Sequence, residues 1–246
     1  MCQDCGCLET GNTTINGELM HQSHEIKSDH LTHEISLKKQ ILHKNNEIAQ
    51  HNRDHLEKKS VYCLNWISAP GSGKTSLLEK LIKDMGSKIP IFVIEGDQQT
   101  DMDADRIRQA GGIAVQINTG SACHLDAEMI HKALHHLDLT EKSLLCIENV
   151  GNMVCPTAFD LGEHIKLAVI SCTEGDDKPL KYPDLILASQ VLLINKTDLL
   201  SYLDFDLEKV ILNALKINPE IKIFSVSAKT GEGLDSFYNW LLKYLL

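Results

Sequence analysis

Aromatic residues are scarce. The 246-residue chain has 2 Trp, 5 Tyr and 5 Phe, and its first 60 residues contain none of them and no proline. Basic residues are also in the minority, 24 Lys and Arg against 34 Asp and Glu, for a formal net charge of −10. That balance argues against binding nucleic acid through a broad basic face, because phosphate contacts need clustered Lys and Arg. No apolar run approaches the ~20 residues of a membrane helix, so no membrane insertion is expected. The start, Met-Cys-Gln-Asp-Cys-Gly-Cys, has no basic stretch leading into an apolar one and does not read as a secretory signal. The expected location is the cytoplasm, where a disulfide framework is rare. There is no internal repeat and no low-complexity tract.

What the chain does have is sulfur and imidazole: 8 Cys and 12 His. Its 43% hydrophobic and 24% charged residues are ordinary for a folded protein with a core of normal size.

Composition shifts near residue 60. Seven of the His precede it (21, 24, 30, 33, 43, 51 and 55), with three of the Cys. Residues 1–30 read as a flexible, metal-binding tail whose 8–30 portion is a mobile linker, polar and aperiodic. Over 31–60, Ile35, Leu42, Ala49 and Leu56 recur every seven residues with Ile41 and Ile48 beside them. This narrow apolar stripe predicts an amphipathic helix that docks on a larger body. From 61 to 246, apolar runs alternate with helix-length amphipathic segments. Strands are predicted at 61–67, 89–95, 113–118, 143–149, 167–172, 191–195 and 222–227, and helices at 75–84, 123–137, 208–216 and 234–246. Strands apolar nearly throughout and separated by helices imply a mostly parallel α/β sheet covered on both faces. Ligands of such sheets bind at the carboxyl ends of the strands.

After the first of these strands stands Ser68-Ala69-Pro70-Gly71-Ser72-Gly73-Lys74-Thr75-Ser76. It is nearly a Walker A loop, departing only in having Ser68 where glycine is usual. Backbone N–H groups of such a loop cradle phosphate oxygens, aided by the dipole of the following helix. Lys74 should reach the β and γ phosphates and the Thr75 hydroxyl should ligate Mg²⁺, with Gly71, Ser72, Gly73 and Ser76 completing the cradle. Glu95-Gly96-Asp97 closes the next strand. An acid here lies beside the phosphate loop and would hold Mg²⁺ directly or through water, Asp97 being the first choice. Asp101, Asp103 and Asp105 read as caps or solvated charges of the next helix. Glu148 ends a later strand in the Walker B position, as a Mg²⁺ or water-positioning group. The expected catalytic set is therefore Lys74, Asp97 and Glu148.

Asn195-Lys196-Thr197-Asp198 matches the Asn-Lys-x-Asp signature of GTPases. The Asp198 carboxylate can accept from both the N1–H and the amino group of guanine, a donor pair that adenine lacks, so it selects GTP over ATP. Asn195 would bridge to the loops or the base, and the stem of Lys196 would cover the base. Ser227-Ala228-Lys229 matches the Ser-Ala-Lys loop whose backbone N–H meets the guanine O6.

Cys123-His124, read as the start of a helix, and Cys155-Pro156 both follow strands and so fall on the nucleotide side of the sheet. Two thiolates and an imidazole suit Zn²⁺ or Ni²⁺, with a dimer partner or water as fourth ligand. Cys63, Cys146 and Cys172 lie inside apolar strands and read as core. Cys2, Cys5 and Cys7 form a compact tripod for one soft metal, Gly6 permitting the tight turn. A redox pair is the competing reading of Cys2 and Cys5.

Together the stretches SAPGSGKTS (68–76), EGDQQTDMDADR (95–106), CHLDA (123–127), ENVGNMVCP (148–156), NKTD (195–198), the start MCQDCGC and ILHKNNEIAQHN (41–52) resemble the hydrogenase nickel-incorporation GTPases, the HypB family. The resemblance covers residues 31–246 and the tip. It implies a P-loop GTPase of the SIMIBI class with low intrinsic turnover, which delivers nickel to the maturing nickel–iron hydrogenase large subunit and couples transfer to GTP hydrolysis. It implies a GTP-dependent homodimer formed through the G domain, with Cys123, His124 and Cys155 as a Ni/Zn site at that interface. It further implies that Cys2, Cys5 and Cys7 are a high-affinity nickel site, and that the partners are a second nickel-binding maturation protein and a nickel-supplying chaperone. No polyhistidine tract for bulk storage is present. Two rival readings are a urease nickel-insertion GTPase, which should carry Cys-Pro-His and no tripod, and a metal-sequestering protein with vestigial nucleotide binding.

Overall fold

The computed structural model describes residues 28–97 and 102–245 and the pairs 14–15 and 18–19, with side chains from residue 39 onward. Cys2, Cys5, Cys7 and Asp101 lie outside the described residues. The chain forms two compact units, 1–44 and 45–246. In the first, β1 (Thr14–Ile15) pairs antiparallel with β2 (Glu18–Leu19), inside the stretch read as a linker. Helix α1 (Ser28–Lys58) starts there and has no Gly or Pro to interrupt it.

The second unit is built on a seven-stranded sheet of β3 (Val61–Ser68), β4 (Ile91–Asp97), β5 (Ile113–Asn118), β6 (Ser143–Glu148), β7 (Ile165–Ser171), β8 (Val191–Asn195) and β9 (Lys222–Ser225). Its order is β5-β4-β6-β3-β7-β8-β9. All of its pairings are parallel. This is the α/β, P-loop NTPase-like sheet expected from the sequence.

Alternate side chains of β3 divide the core. Leu64 and Trp66 join α2 (Lys74–Met85), α3 (Met102–Gln109) and α8 (Leu234–Leu245) on one face. Cys63 and Ile67 point to the other face, toward α1 and α4 (Ala127–Leu134) or toward α6 (Pro183–Ala188) and α7 (Leu207–Ile217). Cys63, Cys146 and Cys172 are all buried, as core cysteines should be. Most of the scarce aromatic residues gather near β9 and α8, where Phe237 meets Trp66, Phe224 and Trp240 at 5.6–6.2 Å between ring centroids.

The second half of α1 packs through Ala49 and Leu56, both fully buried, but also through two buried asparagines. Asn45 donates to Asp160 O at 2.7 Å and accepts from Ala127 N at 2.9 Å. Asn52 donates to Ala127 O at 2.8 Å and Leu161 O at 3.2 Å. These amides occupy loop backbone groups that would otherwise be orphaned.

Two sequence expectations are corrected here. Cys123 and His124 do not begin a helix: α4 starts at Ala127, because the Asp126 carboxylate accepts the Met129 N–H at 2.7 Å and fixes the N-cap there. Helices α5 (Lys178–Lys181) and α6, each with a proline in its first turn, occupy a span with no predicted element.

Candidate nucleotide and metal site

The phosphate loop runs from the end of β3 into α2. Gly71 and Gly73 have φ of +78° and +93°, a left-handed backbone that side chains with a Cβ rarely adopt. Gly73 is also sterically obligatory, since a Cβ there would lie 2.5 Å from Asn195 Nδ2. Lys74 is buried and its Nζ donates to Ser68 Oγ at 2.9 Å. Ser68, the departure from the usual loop, thus holds the lysine. Burial draws the Lys74 ammonium down from its ordinary range, while Glu148, Asp103, Glu95 and Glu174 support its charge. Ser72 donates to Ala69 O at 2.8 Å and contacts Glu174.

Acids converge beside this loop. The Thr75 hydroxyl donates to Glu148 Oε1 at 2.7 Å. Glu148 stands opposite Glu95 in the β4–β6 register, and Asp97 ends β4 two residues on. Burial raises the Glu148 carboxyl above the ordinary range, against the pull of Lys74 and Thr75. Burial, with the nearby charges of Glu148, Asp97 and Asp103, pushes Glu95 up to about 8. Glu95 Oε2 and Glu148 Oε2 are buried without a hydrogen-bond partner. Two such oxygens beside a threonine hydroxyl suit a hard divalent cation, so the residues present fit Mg²⁺. Asp103 and Asp105 pair with Arg106 and Arg108 at 2.9 and 2.7 Å, as helix charges do. From the sequence Asp97 stands ahead of Glu95, although a carboxylate that directly follows the apolar run Ile91–Ile94 is itself a signal.

The base motif is laced to the phosphate loop. Asn195 donates to Ser72 O at 2.9 Å and accepts from Ala228 N at 3.1 Å. Lys196, at φ +64°, reaches Gly71 O with its Nζ at 2.8 Å. Asp198 accepts from Ser227 Oγ at 2.6 Å, which steadies the carboxylate. Gly73, Ser76, Asn195, Lys196, Asp198, Ala228 and Lys229 share the wall of one cavity of about 450 Å³.

On the other side, the ligand atoms of Cys123, His124 and Cys155 lie within 4.8 Å of one another. Cys123 Sγ is 3.7 Å from His124 Nδ1. His124 is buried and stacks on Phe159 at 3.9 Å, and burial lowers its pKa, keeping the imidazole neutral and able to ligate. Cys155 opens a short 3₁₀ turn (Cys155–Ala158). Loops join this cluster to the phosphate site. Asn149, next to Glu148, accepts from Leu125 N at 3.2 Å and donates to Asn65 at 3.2 Å. Asn152 donates to Cys123 O at 3.3 Å. Gly151 approaches Pro70 so closely that a Cβ would meet its ring at 3.1 Å.

Comparison with known proteins agrees with this layout. The profile of the CobW/HypB/UreG nucleotide-binding domain matches residues 65–225. The chain is 55% identical over 207 residues to the hydrogenase maturation factor HypB of Rhizobium leguminosarum bv. viciae, covering 84% of this chain and 69% of that one. Among solved structures it is similar to HypB from Helicobacter pylori in complex with nickel, with TM-score 0.78 and 41% identity over 81% of this chain and 94% of that one. HypB from Archaeoglobus fulgidus matches with TM-score 0.78 and 38% identity over 83% of this chain and 100% of that one. Among the described residues, no helix is long and apolar enough to cross a membrane.

Proposed function

The chain belongs to the HypB family of hydrogenase maturation factors, and from that premise we propose that it is a GTP-hydrolysing nickel metallochaperone for the hydrogenase large subunit. The relative from Helicobacter pylori in complex with nickel supports the choice of metal. On this reading Asp198, Asn195 and Lys196 hold guanine, with the Ser227-Ala228-Lys229 loop at its O6. Lys74 leaves Ser68 for the β and γ phosphates. Thr75, Glu148 and Asp97 hold Mg²⁺, which neutralises charge on the transferred phosphoryl group. Cys123, His124 and Cys155 carry Ni²⁺ or Zn²⁺, and the tripod Cys2, Cys5 and Cys7 is a separate nickel site.

One observation carries the gating. Glu148 accepts from Thr75 at the phosphate site, and seven residues later the same loop ends in the metal ligand Cys155. Three protein ligands leave a position open to a partner subunit or to water. The exposed Val154 beside Cys155 supports a homodimer contact there. The partners are a second nickel-binding maturation protein and a nickel-supplying chaperone, and the protein works in the cytoplasm, where GTP and reduced thiols are available.

The test is a competition titration of Ni²⁺ with GDP and with a non-hydrolysable GTP analogue. A coupling of roughly 5- to 150-fold is expected, with the reciprocal change in nucleotide affinity. Identical nickel affinities in the two states would sink the gating. GTP turnover that disappears in Lys74→Ala excludes a sequestering protein with vestigial nucleotide binding.

A further inference from the structure

Histidines outside the cysteine cluster converge at the other end of α4. Helix α1 carries His51 and His55, four residues apart, and α4 presents His131 with His135 at its C-cap, also four apart. Residues four apart share one face of a helix, the spacing at which two imidazoles can grip one ion. The amide bonds of Asn45 and Asn52 to Ala127 hold the two helices together.

The tautomer of His131 is fixed. Asn52 is fully buried, and its amide nitrogen is occupied by Ala127 O and Leu161 O. Its oxygen therefore faces His131 Nδ1 at 3.1 Å, so Nδ1 must donate and Nε2 must carry the lone pair. This is how a ligating histidine is commonly oriented, with its remote N–H held by a fixed acceptor. The bare His131 Nε2 then meets His135 Nε2 at 3.4 Å. A metal–nitrogen bond of about 2.0–2.1 Å puts two nitrogens of a tetrahedral site about 3.4 Å apart. His51 lies edge-on to His131 at 5.1 Å between ring centroids.

We propose that His131 and His135, with the His51 ring beside them, form a further metal site that takes a borderline divalent cation such as Ni²⁺ or Zn²⁺ through imidazole nitrogen alone. Imidazole suits both ions and provides none of the thiolate that characterises the other two sites. The eight residues of α4 span about 12 Å, so the site stands roughly that far from the Cys123–His124 loop. It is a holding position for metal within one helix length of the cysteine cluster. The geometry stands without the functional reading above, which enters only in naming nickel as the cargo.

The experiment removes sulfur first. A variant with Cys2, Cys5, Cys7, Cys123 and Cys155 all changed to Ser is titrated with Zn²⁺ and with Co²⁺ against a chromophoric chelator. The same background is then titrated with His131→Ala and His135→Ala added, and GTP binding and circular dichroism check that both are folded. The first protein should bind one more equivalent than the second, and its Co²⁺ spectrum should lack a thiolate charge-transfer band. In the wild-type imidazole ¹H–¹⁵N spectrum, Zn²⁺ should shift Nε2 of His131 and His135 while Nδ1 of His131 stays protonated. His135→Ala alone, at an exposed position, should suffice to abolish the shift of His131. Equal stoichiometry in the two backgrounds, or unshifted Nε2 resonances, overturns the site. Nickel affinity insensitive to nucleotide would instead sink the gating and leave this site standing.

Discussion

Glu95→Gln isolates the electrostatic strain of the acidic cluster. Glu95 is only 2% exposed and its carboxyl is pushed up to about 8 by burial and by the charges of Glu148, Asp97 and Asp103. In the unfolded chain it titrates near 4.5. Between those values the folded protein holds a proton that the unfolded chain has released, so stability falls as pH rises from about 4.5 to about 8 and is level beyond. Each pH unit corresponds to about 1.4 kcal/mol, so the loss from this one group at pH 7 is roughly 3 kcal/mol. That is a large share of the ~5–15 kcal/mol typical of a folded domain. Glutamine keeps the shape and removes the charge. Urea denaturation from pH 5 to 8, in metal-free and nucleotide-free buffer, should show the variant more stable by a margin that grows with pH to a few kcal/mol. The residual slope belongs to the other buried acids with raised values, Glu148 and Glu163. A cation in the cluster offsets the repulsion, so Mg²⁺ with GTP should release most of one proton at pH 7 from the wild type and less from the variant, read from the buffer dependence of the binding heat. Parallel stability profiles for the two proteins would refute the reasoning, because they would mean that Glu95 is solvated and carries no strain.

Two further substitutions probe the links between the sites. Asn149→Ala strips the buried Leu125 N–H and Asn65 Oδ1 of partners, which should cost about 2–6 kcal/mol in urea melts at ~1–3 kcal/mol per orphaned group; it should also weaken the nucleotide dependence of nickel affinity, and an undiminished coupling would exclude this amide as the connection. On the proposed function, Asp198→Ala removes two charge-assisted hydrogen bonds to guanine, worth about 3 kcal/mol or more together, so displacement assays should show GTP binding ~100-fold weaker and little preference left over ATP, and an unchanged GTP-to-ATP ratio would remove Asp198 from the base site.

The sheet was legible because a parallel sheet is covered on both faces, so its inner strands are apolar nearly throughout and stand out against amphipathic helices. The predicted spans 113–118 and 191–195 coincide with β5 and β8. The phosphate loop was legible because its glycines and lysine serve backbone geometry and charge that few other sequences provide. What escaped depended on partners distant in the chain. Asn45 and Asn52 read as the polar side of a helix, yet they are buried because their amides satisfy Asp160, Ala127 and Leu161. The start of α4 moved because Asp126 captured a backbone N–H, a local competition that apolar periodicity does not register. Glu95 owes its raised pKa first to burial in the folded sheet and then to Glu148, which register sets opposite it.

Strand order also segregates the two reading tasks. The base motifs follow β8 and β9 at one edge of the sheet, and the acids and the Cys-His-Cys cluster follow β4, β5 and β6 toward the other, with the phosphate loop after β3 between them. The hydrogen bonds of Asn195 and Lys196 to Ser72 O and Gly71 O already stitch the base-reading edge to that midline. On the proposed function, that half of the molecule acts as a stator, formed ahead of the guanine nucleotide it receives. The opposite half is then open to divergence in its cargo chemistry. On that reading, a lineage could exchange the ligands after β5 and β6 for those of another metal while the base motifs after β8 and β9 stay as they are.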